Sequence, residues 1–292
     1  MLLYIRLCLS EARPSVQLVV FLRYLAGTVL SLPGPGPAPG RILTGAAGWL
    51  CATVAVYAFN GVTDRAEDRR NGSLRPIASG RLPVGAALAL IGGFALAGTA
   101  LSWSLGSRQG LLCLGYLTLG YAYSGRPFPL KRTFYTCTGA GLGLGLLTYL
   151  AGADAAGAGA GRALLLFAGA MSFWMGGVGG IAKEFSDVQG DRLAGRRTWP
   201  IVLGERRARL LLACVATGAG LGFVIAAARV DTTLLGAALT VLLGALVVSA
   251  VGVTSPVPAD RAAERRPYQA FMWTQHLAHL ALIGTVGLPL LR

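Results

Sequence analysis

The chain has 292 residues, of which 54% are hydrophobic and only 13% charged, whereas about 25% are charged in an average soluble domain. Apolar runs of about 17 to 25 residues recur along its whole length and leave no room for a soluble domain, so we predict an all-α, polytopic membrane protein. The net charge of +14 would suit nucleic acid, but the basic residues lie in short loops where anionic lipid headgroups account for them. Membrane lipid is therefore an expected partner, and nucleic acid is not.

Apolar runs and helix breakers predict nine membrane-spanning helices in a single domain that covers residues 1–292. The residues before the first span are apolar but interrupted by Arg6 and Glu11, and no cleavage site follows them, so we expect them in the mature chain, along the membrane surface. The Pro- and Gly-rich residues 32–40 predict an extended connection. The predicted spans are residues 15–32, 44–63, 84–105, 109–124, 134–152, 162–185, 208–228, 232–253 and 269–290.

The basic residues predict the orientation of these spans. Most of the 26 lysines and arginines lie in the loops after the second, fourth, sixth and eighth spans. By the positive-inside rule these loops and the N-terminus are cytoplasmic, and the C-terminus lies outside. The richness in alanine, glycine and arginine suggests a bacterial source, so we expect the inner (cytoplasmic) membrane.

A first acidic stretch, NGVTDRAED, lies at the cytoplasmic end of the second span. Asn60, Asp64 and Asp68 recur every four residues and line one strip if the helix continues through them. Like charges in such an arrangement repel each other unless a cation lies between them. Carboxylate and amide oxygens suit Mg²⁺, which binds through one or two carboxylates plus substrate phosphates. The stretch therefore predicts a magnesium site.

A second stretch, KEFSDVQGD, repeats the pattern at the cytoplasmic end of the sixth span, with Glu184, Asp187 and Asp191 on one helix face. For either stretch alone, a solvated and salt-bridged loop would explain the charges equally well. Two matched stretches at the same side of the membrane favour a functional ion site. We expect the two to face each other and to hold metal ions against a diphosphate.

Basic side chains near the acidic stretches are expected to bind the phosphate oxygens. Arg75 follows the first stretch in RPIASG, and Lys131 and Arg132 end the segment YSGRPFPLKR after the fourth span. Arginine offers a planar fork of donors and lysine a point charge, and both suit phosphate. An anchoring role at the cytoplasmic membrane surface is an equally open alternative for each.

The order and spacing of these motifs resemble those of the UbiA superfamily of intramembrane prenyltransferases. The resemblance runs from Arg13-Pro14 to the ninth span, and the spacing of the first motif is closest to the chlorophyll-synthase and homogentisate-prenyltransferase branches. It implies a nine-helix bundle whose central cavity opens to lipid. The segments that carry it are NGVTDRAEDRRNGSLRPIASGRLP (60–83), YSGRPFPLK (123–131) and KEFSDVQGDRLAGRRTWP (183–200).

The resemblance also implies which residues form the site, and it adds Arg13 and Lys183 to the expected diphosphate-binding residues. Two positions depart from the family pattern. Gly61 stands where many relatives carry an acidic residue, and Glu184 stands where aspartate is common, which leaves open how directly Glu184 contacts metal. The implied ligands of metal and diphosphate are Asn60, Asp64, Asp68, Asp187 and Asp191.

The predicted reaction begins with loss of diphosphate, which Mg²⁺ and cationic side chains assist by neutralising its charge. The allylic cation that remains needs a dry cavity and aromatic faces, for which Tyr123 is the best candidate. We therefore predict Mg²⁺-dependent transfer of a prenyl chain from an isoprenoid diphosphate to an aromatic or quinone-like acceptor. One alternative is a terpene cyclase that uses the same site. Another is a transporter, which the position of both acidic stretches away from the bilayer midplane disfavours.

Overall fold

The computed structural model describes residues 1–32, 39–254 and 261–287, and every regular element within these ranges is helical. The predicted all-α class is confirmed for this part of the chain. The residues form two compact units. The first comprises Met1–Lys131 with Leu147–Gly159, and the second comprises Arg132–Leu146 with Ala160–Arg292. A single domain over residues 1–292 stays a prediction.

The first unit is built around one long helix, α3, which packs against α2, α5 and α6. Its core is aromatic. The buried Trp49 donates its indole Nε1–H to Thr148 Oγ1 at 3.1 Å, and its ring lies 4.9 Å from that of Tyr116, so the polar edge of the indole is satisfied inside the apolar interior. The described helices of this unit are α1 (Leu2–Glu11), α2 (Pro14–Val29), α3 (Pro39–Thr63), α4 (Arg65–Arg70), α5 (Val84–Trp103), α6 (Ser107–Ser124) and, from Leu147 onward, α7 (Phe134–Ala155).

Helix α1 is attached to the first unit through one face. Cys8 and Ala12 are fully buried and belong to a cluster with Val54 and Ala58 of α3. Leu2 and Leu3 at its start are exposed. The helix ends directly before α2, which starts with Pro14, a residue suited to the first helical position because no intrahelical acceptor is available there.

The second unit is built from α12, α13 and α15, which pack in that order, α13 between the other two. Trp174 of a π-helical turn stacks on Phe271 with ring centroids 6.0 Å apart. Gly179 ends this turn, and a Cβ atom there would collide with the Phe271 ring, so only glycine permits this approach. The further helices of this unit are α8 (Arg162–Phe173), the π turn (Trp174–Gly179), α9 (Gly180–Glu184), a 3₁₀ turn (Phe185–Asp187), α10 (Val188–Leu193), α11 (Trp199–Leu203), α12 (Glu205–Val230), α13 (Leu235–Thr254), α14 (Arg261–Glu264) and α15 (Arg266–Leu282).

Six helical stretches of the described residues are long and apolar enough to cross a membrane. They coincide with the second, third, fifth, sixth, seventh and eighth predicted spans. Helix α2 is apolar but shorter. These stretches indicate an integral membrane protein, whereas the count of nine crossings and their orientation stay predictions. The six stretches are Pro39–Thr63, Val84–Trp103, Phe134–Ala155, Arg162–Leu193, Glu205–Val230 and Thr232–Thr254.

The largest differences between the predicted boundaries and the structure lie at the start of the second span and the end of the sixth. The extended connection predicted over residues 32–40 falls mostly outside the described residues, but α3 already begins at Pro39. The sixth span was predicted to end at residue 185, yet the helical path continues to Leu193 through the 3₁₀ turn and α10. Residues 288–290, the end of the ninth predicted span, lie outside the described part.

Candidate functional site

The first acidic stretch keeps helical hydrogen bonds across a helix end. Helix α3 stops at Thr63 and α4 starts at Arg65, but Asp64 N donates to Asn60 O at 2.9 Å and Asp68 N donates to Asp64 O at 2.8 Å. The four-residue repeat is therefore maintained through the break. This is the continuation that the predicted strip of three oxygen-bearing side chains requires.

Lys131 binds Asn60 and Asp64, the first two residues of this strip. Its Nζ lies 2.6 Å from Asp64 Oδ1 and donates to Asn60 Oδ1 at 3.2 Å and to Thr63 Oγ1 at 2.9 Å. Ser124 Oγ donates to the same Asn60 oxygen at 2.8 Å. Because the Lys131 and Asp64 side chains are only 7% and 11% exposed, this is a shielded ion pair rather than a surface one.

Arg75 binds Asp68, the last residue of this strip. Its Nη1 donates to Asp68 Oδ2 at 2.8 Å, and its Nη2 lies 2.6 Å from Glu11 Oε1 and donates to the Glu11 carbonyl at 3.1 Å. Both terminal nitrogens of the guanidinium are thus occupied by acceptors from two separate elements. Lys131 and Arg75, which were expected to bind phosphate, thus lie directly beside the first acidic stretch.

Glu11 is the residue that sequence reasoning missed. Its side chain is fully buried at the end of α1, and its Oε2 accepts the backbone N–H of Ile77 at 2.9 Å. Burial raises the pKa of this carboxyl above its ordinary value of 4.5, and the charge of Arg75 opposes that shift. The sequence signal for Glu11 is that it is a single glutamate near the end of an apolar stretch. A glutamate buried among such residues is almost always paired with a cation.

Residues 183–200, which contain the second acidic stretch, make several contacts with one another. Asp191 is buried, and its Oδ1 lies 3.2 Å from Arg196 Nη1, while Arg196 N donates to the Asp191 carbonyl at 2.9 Å. Glu184 Oε2 accepts the backbone N–H of Trp199 at 2.8 Å. Asp187 lies in the 3₁₀ turn and accepts from Ser186 Oγ at 3.4 Å. That turn interrupts the regular α-helical register that the prediction assumed.

The remaining predicted site residues have varied environments. Tyr123 is half-buried in the last turn of α6, directly before Ser124, and Lys183 is half-buried near the end of α9. Arg132 is exposed, and its carbonyl accepts from Arg197 N at 3.1 Å. Arg13 precedes α2 with a φ of 57°, and its charge acts on the nearby Glu11 carboxyl.

The donor set suits magnesium bound together with a phosphate ligand. In the described part of the chain, no three His, Cys, Asp or Glu side chains converge to hold a metal by themselves. Asp64 and Asp68 instead hold an ammonium and a guanidinium, which shows that both positions accept cations. Mg²⁺ is bound through one or two carboxylates with phosphate and water oxygens completing its shell, so the two carboxylates and the Asn60 amide oxygen fit it.

Comparison with known proteins identifies the family of the chain and structures that share its fold. The profile of the UbiA prenyltransferase family matches residues 20–275. No curated protein matches the chain. The structure of a UbiA homologue from Archaeoglobus fulgidus bound to GPP and Mg²⁺ is similar with a TM-score of 0.71 at 19% identity, covering 96% of this chain and 99% of its own.

Two further solved structures share the fold. The apo structure of a UbiA homologue from Aeropyrum pernix K1 has a TM-score of 0.66 at 19% identity and covers 93% of this chain and 98% of its own. A structure concerning digeranylgeranylglyceryl phosphate synthase in membranes has a TM-score of 0.65 at 15% identity and covers 97% of this chain and 99% of its own. At these identities the likeness shows the fold alone.

Proposed function

This chain belongs to the UbiA prenyltransferase family, and on that premise we propose that it ionises an isoprenoid diphosphate in the membrane and transfers the prenyl chain to an aromatic or quinone-like acceptor. The observation that carries this proposal is the pair of shielded cations on the first acidic stretch, Lys131 on Asp64 and Arg75 on Asp68. Such an arrangement offers oxygen ligands and phosphate-binding cations side by side.

The proposed ligands of Mg²⁺ come from both acidic stretches. When bound, Mg²⁺ neutralises charge on the departing diphosphate. The similar structure from Archaeoglobus fulgidus was solved with GPP and Mg²⁺, which supports this cofactor and this class of donor. The residues proposed to hold the ion and its diphosphate are Asn60, Asp64, Asp68, Glu184, Asp187 and Asp191.

The cationic side chains are proposed to bind the phosphate oxygens directly. Lys131 and Arg75 are already fixed beside the first stretch, so little side-chain entropy is lost when they bind a ligand. Electrostatic stabilisation by such pre-placed groups is commonly the largest single contribution to ionisation. Arg13, Arg132 and Lys183 are proposed as further phosphate-binding residues.

The remaining features of the proposal concern the membrane. Nine spans around a central cavity, with both acidic stretches at the cytoplasmic side, would exclude water from an allylic cation. Tyr123 is proposed to face that cation, and its neighbour Ser124 donates to Asn60. Six apolar helices among the described residues and the family of the chain support an intramembrane reaction.

The experiment that tests this proposal measures diphosphate release by the purified protein in liposomes. Geranyl, farnesyl and geranylgeranyl diphosphate are each supplied with and without Mg²⁺ and with and without an aromatic acceptor. We expect Mg²⁺-dependent release that needs the acceptor and that Asp64→Asn lowers by at least about a hundredfold. Asp154→Asn, which alters another carboxylate of low exposure paired with an arginine, is the matched control and should release diphosphate normally.

The outcomes separate the candidate reactions. Release without acceptor, together with a cyclic hydrocarbon or alcohol, would show a terpene cyclase instead of a transferase. Release that is indifferent to Mg²⁺ or to Asp64→Asn would place the chemistry elsewhere. If neither these donors nor longer prenyl diphosphates were turned over, the proposal would be abandoned.

A further inference from the structure

Gly61 lies within the first acidic stretch and leaves space that another residue occupies. A Cβ atom built on Gly61 would collide with Glu11 Oε1 and lie 3.0 Å from Arg75 Nη2. All three residues belong to the first unit. The missing side chain at position 61 is therefore what allows a carboxylate from α1 to meet the Arg75 guanidinium against α3.

Glu11 contacts the loop after the first stretch at three points. Its Oε1 pairs with Arg75, its Oε2 accepts from Ile77 N, and its carbonyl accepts a second contact from Arg75. Helix α1 is held in place for this by Cys8 and Ala12, which cluster with Ile77. Glu11 thus fixes both the side chain of Arg75 and the backbone two residues beyond it.

Burying this carboxylate is costly, and only specific partners offset the cost. A fully buried carboxylate loses its bound water. Ion pairs and hydrogen bonds must offset the free energy lost with that water. Glu11 has both. Arg75 holds Glu11 through Nη2 and Asp68 through Nη1, and its side chain is 13% exposed. If a cation replaced Arg75 on Asp68, Nη1 could donate to an incoming anion while Nη2 stayed on Glu11.

We propose that Glu11 is a positioning residue that aims Arg75 at the diphosphate. It supplies, from the N-terminal helix, the carboxylate that Gly61 does not provide within the stretch itself. This inference rests on the proposed function, because it assigns Arg75 a diphosphate ligand. It also makes the docking of α1 a requirement for tight binding.

The test measures binding of inorganic diphosphate with Mg²⁺ to the detergent-solubilised full chain by calorimetry. Glu11→Gln keeps the size of the side chain but removes the charge that orients Arg75, and we expect binding to weaken about tenfold because small misplacements of a binding group are costly. Asp154→Asn is the matched control and should bind within about twofold of the unaltered protein, since its partner Arg108 is 62% exposed. Equal binding by Glu11→Gln and the unaltered protein would overturn the inference.

A second experiment uses the space that a side chain at position 61 would share with Glu11. Gly61→Asp alone should weaken binding, because the new side chain would collide with Glu11. In a Glu11→Ala background the same Gly61→Asp change should restore binding severalfold, since a carboxylate again reaches Arg75. A purely structural role for Glu11 predicts no such rescue, and its absence in a double variant that elutes as a folded protein would overturn the inference. This rescue experiment tests the role of Glu11 even if the Glu11→Gln variant does not fold.

The same measurement distinguishes this inference from the proposed function. If the unaltered protein binds diphosphate and Asp64→Asn does not, the proposed site is supported. The Glu11 variants then test only whether Glu11 positions Arg75. If the unaltered protein does not bind diphosphate, or Asp64→Asn binds it equally well, the proposed site fails and the inference fails with it.

Discussion

The two acidic stretches carry similar residues but are stabilised in different ways. In the first, Asp64 and Asp68 pair with Lys131 and Arg75, and Arg75 is held in turn by Glu11 of α1. Lys131 and Glu11 come from other parts of the chain, whereas Arg75 follows Asp68 by seven residues. The first stretch therefore depends on tertiary contacts.

In the second stretch, Asp191 and Glu184 contact residues five and fifteen positions further along the same segment. Asp191 pairs with Arg196 five residues later, and Glu184 accepts the N–H of Trp199 at the end of the same segment. These contacts lie within residues 183–200. We therefore expect substitutions at the distant residues Lys131 and Glu11 to alter anion binding at the first stretch, and substitutions within residues 183–200 to alter the second.

The largest effect that tests this comparison is expected for Lys131→Met. The change leaves Asp64 without its 2.6 Å partner and removes the donor to Asn60, so we expect kcat/KM for the prenyl diphosphate to fall about a hundredfold. Arg196→Met should cost roughly tenfold, because the hydrogen bond from the backbone N of residue 196 to the Asp191 carbonyl does not need the side chain. Steady-state kinetics in liposomes measures both.

The matched control for these two variants is Arg108→Met. Its partner Asp154 lies 3.4 Å away and its own side chain is 62% exposed, so kcat/KM should stay within about twofold. An equal loss for Lys131→Met and Arg196→Met would break the distinction between a tertiary and a local site.

An intermediate effect is expected at Glu184. Glu184→Gln retains an acceptor oxygen for the Trp199 N–H, whereas Glu184→Ala removes it and should lose roughly tenfold in activity. Because Glu184 is proposed to hold the ion, the Mg²⁺ concentration for half-maximal activity should rise in both variants. An unchanged concentration in Glu184→Gln would show that Glu184 acts through the Trp199 N–H and does not contact the metal.

The smallest effect concerns the pH dependence of stability in Glu11→Gln. Burial raises the pKa of Glu11 in the folded protein above 4.5, against the opposing charges of Arg75 and Arg13 and with the support of Asp68. The folded state then binds the proton more tightly than the unfolded state, so this group's contribution to the free energy of unfolding is full below pH 4.5 and is lost as pH rises through the raised pKa.

The measurement is the thermal midpoint of both proteins at pH values from 4.5 upward to neutral. The unaltered protein should lose roughly 2 °C relative to Glu11→Gln across this window. The nearby thiol of Cys8 does not interfere, because burial raises its pKa to about 11. A constant difference between the two proteins would show that Glu11 keeps one protonation state throughout.

Much of the fold could be predicted because its signals are local. A run of apolar residues long enough to cross a bilayer must form its backbone hydrogen bonds internally, and a helix is how a single segment achieves this. The described helices accordingly overlap all nine predicted spans, including α2, α6 and α15, although six of them carry the apolar character of a membrane crossing. The oxygen-rich spacing of Asn60, Asp64 and Asp68 was equally readable, since four residues bring side chains to one helix face.

The pairing of the site residues was decided only by the tertiary structure. Nothing in the spacing of the chain shows that Lys131 meets Asp64 or that Glu11 meets Arg75, because ion pairs between distant residues depend on how helices pack. The role of Gly61 could not be predicted for the same reason. Gly61 matters because it has no side chain, which leaves the space that the Glu11 carboxylate occupies. Composition and periodicity determined an all-helical membrane protein with two acidic stretches, while packing determined which cation holds each carboxylate.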